Sequence, residues 1–514
     1  MSNTERLAKN TAFMFFRMLI TTAIGLFAIR EILRILGVED YGIYNLVCTI
    51  VIMFDFLQQA LNNAISRYIT YDLGTQQSER LRQTFSMSFY IEVALTVVLV
   101  IAAEIVGLWF IENKMNIAEI RRPDAVVAFQ FALVSVIFKS LKNPYNSMII
   151  AQERMGFYAY MSIIEALLSL ATVYFLLIIN TDKLILYSIL QTGVTAVILA
   201  SYILFCRRNF KETRLIRFWD KELSKKLTTY SGWSIIVNIV DMAVAQATSI
   251  FFNIFGGVIA NASLAIANQV NSRTWMFLNT FCSSYYPQII KSYAAREYVY
   301  FHKLIVSTSK ISFLILFGIL FPAILNIDSL LDLWLVNPPK YAASFTYFIA
   351  LFSLFDSYSA PLWQAVFATG NLRKHQILMS SVKIMNIPLS FLFLKLGAPL
   401  VSVLVIYASL NFIGSMVRIV YMRSLINLDL RNYFRNVFLP IIIVIAISVP
   451  LPLYMRLCMG ISVPTLFVTS GMFLIIYTGT IYIYGLSINE RKTLNGFIVQ
   501  GLSKYAPNNK SNVA

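Results

Sequence analysis

Charge is scarce in this sequence. Of 514 residues only 13% are charged, roughly half the share of a soluble globular protein, while 58% are hydrophobic and 14% aromatic. Mean hydropathy is +0.69. No soluble domain hides that much apolar surface, so the chain reads as a polytopic membrane protein. Histidine is nearly missing: His302 and His375 are the only two, which argues against a His-built metal or acid–base site. The four cysteines, Cys48, Cys206, Cys282 and Cys458, lie in or beside apolar runs and lack metal-ligand spacing. Neither Gly-x-x-x-x-Gly-Lys-Ser/Thr nor Gly-x-Gly-x-x-Gly occurs, so the chain has no nucleotide cradle of its own. The expectation is no cofactor and no metal. Acidic residues are the minority, 25 against 42 Lys+Arg, a net of +17. In a soluble protein that excess would suggest nucleic acid. Here it is topological, because cytoplasmic loops of membrane proteins collect Lys and Arg, and no nucleic-acid partner is expected.

A membrane span needs about 20 mostly apolar residues. Fourteen such runs can be read: 11–36, 41–65, 84–112, 124–151, 158–180, 183–206, 228–255, 260–284, 302–326, 343–370, 373–396, 398–424, 436–457 and 462–486. The last two are interrupted by Pro450, Pro452 and Pro464. The polar start, Met1 to Asn10, leads straight into a long apolar run and reads as a retained first span. The loop 207–226 holds Arg207, Arg208, Lys211, Arg214, Arg217, Lys221, Lys225 and Lys226, which places it, and with it both termini, in the cytoplasm. Spans 7 to 12 begin roughly 215 to 219 residues after spans 1 to 6, and the turn Leu36-Gly37 recurs as Phe255-Gly256. A six-span repeat preserves orientation, so the halves are related by a pseudo-twofold along the membrane normal. The expected fold is all-α: a six-helix lobe over 1–206, a basic loop over 207–227, a second six-helix lobe over 228–426, and a terminal helix pair with a tail over 427–514.

Charges within spans are costly, roughly 2.5–3.5 kcal/mol at the centre, and usually face a bundle interior or a wet cavity. The bases Arg17, Arg30, Lys139, Lys142, Arg273, Lys310 and Lys383 fall within spans, as do the acids Glu31, Asp55, Glu92, Glu104, Glu165, Asp241 and Asp356. Across the repeat Asp55 aligns with Arg273, Glu92 with Lys310, Glu165 with Lys383 and Lys139 with Asp356, always with inverted sign. Two readings follow. Either equivalent positions line the two walls of one cavity, or each residue pairs inside its own lobe for packing and register. Lys310, Lys142 and Arg17 lie close enough to span ends to snorkel, and Arg30 sits beside Glu31. Arg273 and Lys383 lie near mid-span. Spans 7 and 8 are rich in amides. Asn261, Asn268, Ser272 and Asn279 share one helical stripe with Trp275 at its edge, and Asn238, Gln246 and Asn253 form an arc on span 7. Such a stripe either glues helices or lines a polar route, and amides beside a tryptophan suit sugar hydroxyls and faces. Pro144, Pro322, Pro361 and Pro388 fall within spans and permit bends.

The opening stretch Lys9-Asn10-Thr11 to Arg17, with Leu36-Gly37-Val38-Glu39-Asp40-Tyr41-Gly42-Ile43-Tyr44, resembles the start of bacterial lipid-linked oligosaccharide flippases. These are the O-antigen and capsule repeat-unit flippases of the multidrug/oligosaccharidyl-lipid/polysaccharide (MOP) exporter superfamily. Asn143-Pro144-Tyr145-Asn146 with Ala151-Gln152-Glu153-Arg154-Met155 resembles that family's end of span 4, and Asn253 through Val270 its spans 7 and 8. The resemblance implies two lobes, a cationic cavity, and export of undecaprenyl-pyrophosphate oligosaccharide across the inner membrane. It also implies membrane lipids and other polysaccharide assembly proteins as partners. Related flippases hold pyrophosphate with arginines on spans 1, 2 and 8. Arg17, Arg30 and Arg273 are the counterparts here, while span 2 departs from the pattern by carrying Asp55.

The function expected is therefore a flippase working by alternating access, not an enzyme. Arg17, Arg30, Arg273 and Lys383 neutralise the pyrophosphate. The amides Asn238, Gln246, Asn253, Asn261 and Asn268, with Trp275, line the glycan route. Asp55, Asp241, Asp356, Lys139 and Glu165 serve ion coupling or interlobe pairing. The alternative is a cation-coupled multidrug exporter of the same superfamily, with Asp55, Asp241 or Asp356 as the ion site. A polymerase or lipid-dependent glycosyltransferase needs a large outer loop, and the outer loops here are short.

Overall fold

A computed structural model describes residues 3–37, 40–44, 47–48, 55–113, 119–179, 181–335, 338–488, 490–492 and 495–496. Among them there is no strand; the chain runs up and down as helices. The first half contains α1 (Asn3–Ile35), α2 (Asp55–Gly74), α3 (Ser78–Asn113), α4 (Arg122–Ala151), α5 (Met155–Phe175) and α6 (Lys183–Asn209). The second contains α7 (Lys221–Ala294), α8 (Tyr298–Leu325), α9 (Ala342–Ser357), α10 (Ala360–Thr369), α11 (Arg373–Ile384), α12 (Asn386–Lys395) and α13 (Val401–Ile426). Then come α14 (Leu430–Met459) and α15 (Val463–Gly485). The turns at 152–154, 295–297, 370–372 and 427–429, with the 210–220 loop, mark one end, here the basic end.

Eleven helices among the described residues are long and apolar enough to span a membrane. The other expected runs explain the difference from fourteen. Run 41–65 lies partly outside the described residues. Run 260–284 is the polar second arm of α7, which falls outside those eleven. Run 343–370 is two shorter helices, α9 and α10, with Pro361 in the first turn of α10 where its missing N–H costs nothing. Pro144 and Pro322 sit inside unbroken helices. The turn between spans 7 and 8 is displaced by one residue. Gly256 packs under Leu400, and the bend falls at Gly257, whose φ of 68° a side chain would oppose.

The repeat is written in the backbone. Ser78 and Tyr298, Arg122 and Ala342, Met155 and Arg373, and Lys183 and Val401 open helices 218 or 220 positions apart. Positive φ recurs at nearly the same spacing: Gly37 with Gly257 and Gln76 with Arg296 at 220, and Glu153 with Gly370 at 217.

The halves meet through α1 and α2 against the second arm of α7. One buried apolar cluster joins them. Its first-half members, from Leu61, Ile65 and Ile69 to Phe85, Tyr145, Met148, Tyr202 and Cys206, all lie toward the basic end. At the other end each half closes on itself. Ile43, Val47, Ala103, Phe129 and Leu184 form one cluster, Ile32, Val173 and Tyr187 another, and Phe252, Ala260, Phe345 and Val403 a third in the second half.

Candidate functional site: the interlobe cleft

Bonds across the seam follow the same asymmetry. Near the basic end the Arg67 guanidinium donates to the carbonyls of Phe367 (3.1 Å) and Ala368 (3.0 Å), stacked on the rings of Tyr68 and Tyr71. Lys291 bonds Glu153 at 2.9 Å. Gly74 lets α2 approach α7 so closely that a Cβ there would sit 2.9 Å from Ala294 Cβ. Thr11 donates to Ser284 (2.8 Å) and, at mid-helix, Thr280 donates to Met18 Sδ (3.5 Å) beside the Phe15–Phe277 ring pair. Every side-chain bond that described residues form with one another across the seam lies between this level and the basic end. Beyond it the walls part into a cleft.

Arg273 stands in that cleft. Seven residues on a helix turn through nearly two full turns and rise about 10 Å, so Arg273 shares a face with Thr280, two turns farther from the basic end. It is exposed and has no hydrogen bond or ion pair with a described residue. Asn268 is exposed on the same arm, and Gln246 and Asn253 on the other. Asn261 is turned inward and accepts from Ser249 at 3.1 Å, tying the two arms of α7. Trp275 packs against the seam cluster rather than standing free, and Asn238 is half-buried. The expected amide lining thus divides into helix glue and open surface.

The expected pyrophosphate quartet does not converge. Arg17 is turned into the first half, where it donates to the Tyr158 hydroxyl at 3.1 Å with its guanidinium 4.9 Å from that ring's centre. Lys383 is bonded to Asp241 at 2.6 Å. Arg30 is exposed and unbonded among the described residues; its neighbour Glu31 bonds Arg34 instead, at 2.6 Å. Lys139 is exposed on α4. Glu165 lies 3.7 Å from Lys142. The side chain of Asp55 lies outside the described residues.

Other charges that align across the repeat find partners on their own side of the seam. Glu92, fully buried, accepts from Asn143 at 3.0 Å. Lys310 bonds Glu490 at 2.7 Å, and Ser307 donates to the same carboxylate, so the segment after α15 neutralises a charge inside α8. Asp356 faces Arg418 at 4.0 Å. Arg418 is the residue that hydropathy and span depth, as applied above, pass over. It is 3% exposed, donates to Ser359 at 2.5 Å and lies 4.4 Å over Trp363. Its depth, about 12 Å from the end of α13, equals that of Lys310, and the same count reveals it.

At the far end of the first half Arg121 gathers Asp40 (2.9 Å), Asp124 (2.9 Å) and Asp182, while Lys183 donates to the Ile35 carbonyl (3.0 Å). Asp40 of the Leu36–Tyr44 stretch thereby fixes the turn after α1 to two others. The Asp182 carboxyl is pushed up by burial, but hydrogen bonds from Arg121 and the Ile185 N–H outweigh this and hold it below its ordinary value.

Residues 7–293, more than half of the chain, match the family described as "Polysaccharide biosynthesis protein". No match is found among curated protein sequences. Solved structures share the fold. One described as "Outward-facing conformation of a multidrug resistance MATE family transporter of the MOP superfamily" superposes with a TM-score of 0.70 at 14% identity, over 82% of this chain and 95% of that one. A MOP superfamily transporter from Pyrococcus furiosus, described as having a binding pocket of reverse polarity, gives 0.68 at 13% identity, over 82% and 95%. A MATE in complex with MaD3S gives 0.68 at 15%, over 82% and 96%. The share of this chain left over, about 18%, is close in size to the segment 427–514. The chain is a multi-pass helical protein with the fold of those MOP superfamily transporters, a cleft between its halves, and it belongs to the polysaccharide biosynthesis protein family.

Proposed function

We propose that this transporter is a flippase. It moves undecaprenyl-pyrophosphate-linked oligosaccharide repeat units from the cytoplasmic to the outer leaflet of the inner membrane by alternating access. The observation that carries this reading is Arg273: an unbonded guanidinium near mid-helix, on the cleft face of α7, beyond the level at which the halves touch. A pyrophosphate has no inexpensive way through hydrocarbon unless its charge is matched, and the guanidinium fork suits phosphate oxygens. Arg30 is the second open cation, and Arg17 completes the set once Tyr158 is exchanged for substrate. Asn268, Gln246 and Asn253 offer open amides to the glycan. The excess of Lys and Arg places the basic end and both termini in the cytoplasm, so the present state faces outward. The lobes 1–206 and 228–426, joined by 207–227, rock about the seam, with α14 and α15 packed on the second lobe. The membrane lipids and the other proteins of polysaccharide assembly are its surroundings. Arg273→Ala is expected to abolish surface-glycan export while protein levels stay intact; normal export would sink the assignment.

The rival reading, a cation-coupled multidrug exporter, requires an acidic ion site. Support for it is weaker, because Asp241 and Asp356 are faced by Lys383 and Arg418. Drug sensitivity of a deletion strain with unaltered surface glycan would favour it.

A further inference from the structure

At the basic end, apart from the cleft, a cavity of about 490 Å³ opens between the end of α2, the first turns of α7 and the turn that begins α11. Tyr68, Lys225, Tyr230, Trp233 and Arg373 line it. Its cations are not spent. Lys226 is bonded to Glu222 at 2.6 Å, but Lys225 and Arg373 are exposed and their side chains form no ion pair or hydrogen bond with a described residue. The Arg373 guanidinium lies 5.9 Å over Trp233. The amino end of α11 has no side-chain cap, and its residues Asn371 to Arg373 form part of the wall. Uncapped N–H groups at a helix start favour an anion. Tyr230 is only 3% exposed and contributes to the wall without presenting its hydroxyl to the cavity.

From these features we infer that the cavity binds a phosphate-bearing headgroup. Lys225, Arg373 and the amino end of α11 take the charge. The setting suits such a ligand: aromatic rings and basic residues gather where a membrane surface meets the protein. The occupant bridges Tyr68 of the first half and Arg373 of the second, beside the Arg67 clamp. Binding there holds the basic end shut, because a ligand stabilises the state it prefers by its difference in affinity. The binding itself is independent of what the cleft carries.

The test uses the purified full chain in detergent and follows its thermal midpoint against added phosphatidylglycerol, phosphatidylcholine or inorganic phosphate. Phosphatidylglycerol is expected to raise the midpoint, and the double variant Lys225→Gln/Arg373→Gln to weaken its apparent affinity about tenfold or more. A response to phosphatidylglycerol without one to inorganic phosphate assigns the headgroup to a lipid. An equal response to inorganic phosphate assigns it to a soluble phosphoryl ligand. Equal responses to phosphatidylglycerol and phosphatidylcholine, with none to phosphate, overturn the inference, as does an undiminished response in the double variant. Should that variant not fold, the single variant Arg373→Gln, at an exposed position, decides: weaker affinity supports the site, and unchanged affinity removes it.

Discussion

The two ends of this molecule solve the same problem in opposite ways. At the basic end the halves share one apolar cluster, and Arg67 and Glu153 reach across the seam for their partners. At the far end each half satisfies itself, Arg121 with three acids of the first half and Phe252 with Phe345 of the second. The lesson is energetic. Bonds within a half survive any rocking motion and set its rigidity. Under the alternating access proposed above, bonds across the seam must be broken to change access, and so set the barrier and the preferred state.

Breaking that contrast should begin at Arg67. Arg67→Ala leaves two seam carbonyls without their donor and removes the stack on Tyr68 and Tyr71, an expected loss of about 3 kcal/mol or more. A cysteine placed at Thr280, in a chain lacking its own cysteines, should then become accessible to a water-soluble maleimide from the basic side; unchanged protection would show that the clamp is dispensable. Next comes Gly370→Ala. Its φ is +75° and the new Cβ would meet an Arg67 nitrogen at 2.6 Å, so the variant should resemble Arg67→Ala at about 1–2 kcal/mol. Lys291→Met and Glu153→Gln remove one pair that is partly shielded from water. A double-mutant cycle on thermal stability should return a coupling of about 1 kcal/mol, and a value near zero would make it incidental.

At the far end the expected outcome is different in kind. Arg121→Gln should loosen three turns of the first half and leave maleimide access at position 280 unchanged. It also carries a pH signature. The Asp182 carboxyl is held below its ordinary value, so its contribution is present above that value and is lost as pH falls through the depressed one. In Arg121→Gln the acid-induced loss should start at higher pH, visible as a shifted midpoint profile between about pH 3 and 6. The smallest effect is at Tyr158→Phe, which costs Arg17 one hydrogen bond, about 0.5–1.5 kcal/mol.

Hydropathy and spacing carry the architecture well, because apolar length and a shared offset survive without side-chain detail. The offset reappears in the helix starts and in the paired positive φ values at Gly37 and Gly257. The site was only partly legible. Alignment of Glu165 with Lys383 says that both depths tolerate charge, but not which way either helix is rotated. Each in fact finds a neighbour of opposite sign in its own half, Lys142 for one and Asp241 for the other. Arg273 is left open, because no described residue in reach competes for it. Trp275 was not, since a ring at the edge of a polar stripe serves the core as readily as a sugar. The partner of Lys310 was out of reach by any local rule, being supplied from beyond the last helix.

That last pairing has a consequence in time. Lys310 and Glu490 are separated by 180 residues. At roughly 5–20 residues per second, translation takes on the order of ten to forty seconds to deliver the partner. During that interval α8 is already made and carries an unmatched ammonium. The lysine must stay hydrated or be shielded by the insertion machinery until Glu490 is made. A chain truncated before Glu490 would leave the Lys310 ammonium inside α8 without that partner.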